Sequence, residues 1–155
     1  MAKLEEEIKR ATASGDRKVA GFKGATRSVE VVNLEVGDVL HVPENPDVFE
    51  QKIGKNTVQY IWVTTQEGNA KKLFPGTFTK SRQIYDEDGV KTGERVFTRG
   101  TAAEEFRKHM TIKESMASLY GKDITVTNQE MIRTLNFDRT EVVDDSILTI
   151  DFVEK

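Results

Sequence analysis

The chain has no cysteine among its 155 residues, three prolines, two histidines and one tryptophan. Without cysteine there is no disulfide, no thiolate nucleophile and no cysteine metal site, a composition suited to a reducing compartment. No apolar run approaches the roughly 20 residues that span a bilayer. The opening segment MAKLEEEIKR also lacks the apolar centre of a secretory signal. No membrane association and no export by a signal peptide are expected, which leaves a cytoplasmic or virion-associated protein. His41 and His109 have no partner at metal-ligand spacing and no serine stands in a nucleophile elbow. No metal or cofactor is therefore expected, and no catalysis, because no reaction can be written from these residues.

Several short motifs have plain readings. The Gly-Lys pairs at Gly54 and Gly121 lack the other positions of a phosphate-binding loop and read as turns. Asp86-Glu87-Asp88-Gly89 opens like a calcium loop, but Val90, Lys91 and Thr92 follow where oxygen ligands are needed, so a hairpin turn is expected. Asp138, Glu141, Asp144 and Asp145 read as a solvated acidic loop.

The net charge of -3 hides a sorted distribution. Between Lys9 and Arg27 there are six basic residues and one acidic, and between Gly68 and Tyr85 four basic and none acidic. From Asp138 to Lys155, six acidic residues outnumber two basic. Such sorting makes either an anion-binding face or two complementary faces on a protein that joins copies of itself.

Periodicity supplies the elements. Leu4, Ile8 and Ala11 recur at helical spacing, so a short helix is expected over residues 2–13, ended by Ser14-Gly15-Asp16. Residues 17–28 have two glycines and no period and read as a basic arm. Strands are expected over 29–32, 39–42, 48–53 and 57–63. In the last of these Val58, Tyr60 and Trp62 point one way and Ile61 and Val63 the other, which places the strand centrally with both faces covered. A return strand carries Leu73 and Phe74, bends at Pro75-Gly76 and resumes over 77–79. A hairpin over 83–98 leads to two short helices near 101–120. Thr101 with Glu104 and Thr111 with Glu114 mark their starts, and Ala103, Phe106, Met110, Ile112, Met116, Leu119 and Tyr120 their apolar faces. Strands over 124–127, 131–137 and 147–153 complete the chain.

The expected architecture is mainly β, a barrel or sandwich with the oligonucleotide-binding barrel as one candidate. An N-terminal helix and arm (1–28) precede a single β-rich domain (29–155) that carries the inserted helical pair. The leading functional expectation is a structural protein, a small β-domain subunit of a multicopy assembly such as a virion shell, tail or decoration component. Lys9, Arg10, Arg17, Lys18, Lys23 and Arg27 would form its assembly arm, and its partners would be other copies or a neighbouring assembly protein. The alternative is a single-stranded nucleic-acid-binding barrel. There Lys71, Lys72, Lys80 and Arg82 would meet phosphates, and Tyr60, Trp62, Phe74 and Phe78 would stack on bases. The competing structural reading makes those rings core and those lysines a solvated edge.

Overall fold

The computed structural model describes residues 2–23, 34–79, 81–136 and 139–153. The strand expected over 29–32, and the candidate residues Arg27 and Lys80, lie outside them. The chain runs α1 (Ala2–Ala13), β1 (Arg17–Val19), β2 (Val39–His41), β3 (Val48–Ile53), β4 (Asn56–Thr65) and β5 (Ala70–Leu73). A 3-10 turn (Pro75–Phe78), β6 (Ser81–Tyr85), β7 (Lys91–Phe97), α2 (Thr101–Arg107), α3 (Ile112–Ala117), β8 (Asp123–Leu135) and β9 (Val142–Phe152) follow.

β4 is the axis of the sheet. Val48 and Leu73 both pair with Ile61, and His41 and Ala70 both pair with Thr64. β3 and β2 therefore share one edge of β4, and β5 takes the other. All pairings are antiparallel, in the order β1-β3-β4-β2-β8-β9, with β5 added on β4. The terminal strands β1 and β9 do not meet, so the sheet is open rather than a closed barrel, which corrects the barrel and oligonucleotide-binding-barrel expectations in favour of sandwich-like layering. Closure needs every edge paired. Here the chain instead covers both faces of the sheet with helices.

The two covers follow from the alternation in β4. Ile61 and Val63 enter a main core with Phe78, Ala102, Ala103, Phe106, Met116 and Leu119, supplied by the 3-10 turn, α2 and α3. Val58, Tyr60 and Trp62 enter a second core with Phe49 and Phe74, closed by Leu4, Ile8 and Ala11 of α1. Gln59, a polar residue in the middle of the first face, is 3% exposed. It accepts a hydrogen bond from the Lys23 amide (2.7 Å) and donates to the Gly21 carbonyl (3.1 Å). That clamp, Phe22 in the main core and the pairing of β1 with β3 fasten the N-terminal segment, as far as Lys23, to the chain's own sheet.

Other differences from the sequence reading have local causes. Residues 77–79 do not resume a strand, because Pro75 opens a 3-10 turn whose four residues are buried. The polar run Asn128-Gln129-Glu130 reads as a gap between strands. Instead β8 continues through it, paired with β9 across a register shift between Val126 and Asn128, and these residues are polar because they are exposed. Asp144 and Asp145 stand in β9 opposite Arg133 and Ile132 rather than in a loop. Met110 is 97% exposed, since α2 ends at Arg107 before its apolar stripe reaches that position. No helix among the described residues is long and apolar enough to cross a membrane.

α2 begins where the chain presses on β9. The Arg99 amide donates to the Leu148 carbonyl (3.2 Å) and the Ile150 amide to the Arg99 carbonyl (2.8 Å). Gly100 follows at φ 108°, and a Cβ there would meet the Ile150 carbonyl oxygen at 2.2 Å. Thr101 is thus the first helical residue and not a cap. The cap comes from β9, where Asp151 Oδ1 accepts from the Thr101 amide (2.7 Å) and hydroxyl (3.1 Å), and Oδ2 from the Thr127 hydroxyl (2.9 Å). The Thr101 amide foremost, opposed by burial and helped by the Thr127 and Thr101 hydroxyls, holds the Asp151 carboxyl below its ordinary pKa. Thr111, by contrast, does cap α3, accepting from the Glu114 amide (3.1 Å).

Gly100→Ala is expected to cost on the order of 3 kcal/mol, measured by urea denaturation, because the backbone can neither hold the angle nor clear the carbonyl. Asp151→Ala should cost about 1 kcal/mol at neutral pH. Because the folded pKa is depressed, Asp151 contributes fully above its unfolded value, and the contribution disappears as pH falls through the folded one. The wild-type advantage over Asp151→Ala should therefore vanish on the acid side of a pH series of melts.

Candidate functional site

The richest polar cluster lies in the cleft between α1 and the face of β3, β4 and β5 that carries the second core. Asp16, directly after the turn that ends α1, is 6% exposed. Its Oδ2 accepts from the Tyr60 hydroxyl at 2.5 Å and from Lys72 Nζ at 2.9 Å. Lys72 Nζ also donates to Gln51 Oε1 (2.9 Å). The same ammonium lies 4.8 Å from the centre of the Tyr60 ring and 5.5 Å from that of Trp62. Register explains the convergence, since Lys72 pairs with Trp62 and Phe49 with Tyr60, all on one face.

Burial foremost, then the hydrogen bond and the charge of Asp16, push the Tyr60 hydroxyl well above its usual pKa, so it stays a proton donor. The Trp62 indole lies close enough to favour the ionised form slightly, yet its Nε1 is buried without an acceptor in hydrogen-bond geometry. The rings pack as a cluster, with Tyr60 5.6 Å from Trp62 edge to face, 5.3 Å from Phe74 and 6.0 Å from Phe49. Two adjoining cavities of about 330 and 470 Å³ open along this cluster and share Glu7, Gln51, Trp62 and Lys72.

The residues singled out in the sequence are distributed as follows. Tyr60, Trp62, Phe74 and Phe78 are at most 7% exposed, the first three in the core beneath α1 and Phe78 stacked on Phe106 in the main core. The cations of the basic edge meet carboxylates of the same chain, Lys72 at Asp16, Lys71 at Asp38 (3.6 Å) and Arg82 at Asp145 (3.4 Å). So do those of the arm, Arg10 at Glu7 (2.7 Å), Arg17 at Glu50 and Lys18 at Asp47 (3.2 Å). Lys9 and Lys23 are exposed. Lys72, Tyr60 and Trp62 are brought together, while Arg82 and Phe78 lie elsewhere.

Comparison with known protein families, curated proteins and solved structures finds no match for this chain. The assignment therefore rests on the geometry alone.

Sequence reasoning missed Asp16 and Gln51. Asp16 carried a usable signal as the lone acid in a run of six cations, while nothing local marks Gln51. His41 also gains a partner that spacing did not reveal, with Nδ1 2.9 Å from the Asp123 carboxylate on the neighbouring strand. Among the described residues, no group of three or more His, Cys, Asp or Glu side chains is placed to hold a metal.

Lys72→Met leaves Asp16 as a buried carboxylate without its cation and should cost about 3 kcal/mol. Tyr60→Phe removes one neutral donor and should cost about 1 kcal/mol. Chemical denaturation of both variants measures the pair, and equal costs would contradict the primacy of the ion pair.

Proposed function

We propose that this protein is a non-catalytic subunit of an ordered multicopy assembly, of the kind that builds virion shells, tails or their decorations. It would meet neighbouring copies through the β6–β7 ribbon. The observation that carries this reading is the construction of that ribbon, a two-stranded sheet separate from the seven-stranded one. A lone two-stranded ribbon is marginal in water and needs cover. β6 has it, lying against β8 with Arg82 on Asp145. β7 does not: six of its seven residues are exposed, including Phe97 at 46%, and Val90 in the turn is 57% exposed.

Among the described residues no strand pairs with the outer edge of β7, and such an edge is a template for another chain. The register shift between Gln83 and Tyr85 and the charges of Lys91, Glu94 and Arg95 discourage indiscriminate pairing, so they favour a specific neighbour. The nucleic-acid alternative draws less support. Single-strand binding needs exposed rings and available cations, whereas the rings here are buried and Lys71, Lys72 and Arg82 are engaged by carboxylates.

Light scattering across a concentration series should show a growing species for the wild type, and Phe97→Lys should weaken association about tenfold, near 1.4 kcal/mol. A monomer at every concentration, or assembly indifferent to Phe97→Lys, overturns the reading. Salt-sensitive quenching of Trp62 by short single strands would install the nucleic-acid function in its place.

A further inference from the structure

We propose that the cleft beneath α1 binds a small organic anion, an apolar body carrying one carboxylate. This goes beyond an assembly role and does not depend on it. The two adjoining cavities, of about 330 and 470 Å³, fall in the range of small-molecule sites. Their polarity is divided. Leu40, Ala70, Leu73 and Phe74 line the first, and Arg10, Asp16 and Lys52 the second.

Where they meet stands the Lys72 ammonium, on a side chain that is 25% exposed. Lys72 Nζ has three protons and spends two, on Asp16 and Gln51. A carboxylate brings the lone pair that would take the remaining Lys72 proton in a charge-assisted hydrogen bond. Charge points the same way by one, since Arg10, Lys52, Lys71 and Lys72 around the two cavities stand against Glu7, Asp16 and the Asp38 that meets Lys71. An inorganic anion would answer the charge but leave the Leu73 and Phe74 end unfilled. A neutral hydrocarbon would fill that end but leave the Lys72 ammonium unanswered. An amphipathic acid meets both demands.

Trp62, the only tryptophan, lies in the wall of both cavities and reports occupancy directly. Titration of the full chain with sodium octanoate should change its emission saturably, with octanol and inorganic phosphate each at least about tenfold weaker. Gln51→Glu, which sets a carboxylate beside the proposed head, and Ala70→Leu, which fills the apolar end, should each weaken octanoate about tenfold, while Lys55→Ala on the β3–β4 turn should leave it unchanged. The two blocking substitutions act at opposite ends of the cleft, so either remains decisive if the other fails to fold. The absence of a saturable change with octanoate, octanol binding as tightly as octanoate, or octanoate affinity unaltered in a folded blocking variant overturns the proposal.

Discussion

A strand that is apolar on both faces must be covered twice, and β4 imposes that requirement on the whole molecule. Ile61 and Val63 demand one core and Val58, Tyr60 and Trp62 another, so no arrangement with a single wet face is stable. The chain answers with material from before and after β4 in the sequence. α2, α3 and the 3-10 turn close one side, and α1 closes the other. The clamp of Gln59 on the backbone of Gly21 and Lys23 shows how narrow the solution is, because a buried amide in the middle of that face is satisfied by the segment that leads away from α1.

The second cover is the more polar of the two. α1 offers only Leu4, Ile8 and Ala11, a narrow apolar stripe, and beside it the structure buries an ion pair. A buried pair adds little net stability once desolvation is counted, but it makes other arrangements expensive. Asp16 next to the end of α1 and Lys72 on the edge strand β5 can satisfy each other only when the helix lies where it does. The Tyr60 hydroxyl, kept protonated by its surroundings, completes the same restriction. The cluster thus sets the position of the helix and, with it, the shape of the cleft.

Charge that looks sorted along the chain is largely paired in space. The basic residues near the N-terminus meet Glu7, Glu50 and Asp47, and those of the hairpin meet Asp38, Asp16 and Asp145. What remains outward along β7 is a mixture of signs interrupted by Val90 and Phe97. A surface of that kind selects a complementary protein neighbour more readily than a polyanion.

Much of this was legible in order. The 2-residue alternation of β4 and the 3- and 4-residue spacing of Leu4, Ile8 and Ala11 are local periodicities, and they dictated a central strand covered on both sides and a helix with one side to bury. They also placed Tyr60 and Trp62 in a covered strand, while Phe74 and Phe78 stood open between core and stacking roles. Which sheet the helix lies on, whether the sheet closes, and which carboxylate meets which cation were decided by the tertiary structure, because each joins residues far apart in sequence. Asp16 and Lys72 lie 56 positions apart, and Thr101 and Asp151 lie 50 apart. A local pattern carries no information about such partners. The strand gap over Asn128-Gln129-Glu130 makes the same point in reverse, since its polarity reflects exposure while β9, opposite it, supplies the ladder that keeps it extended.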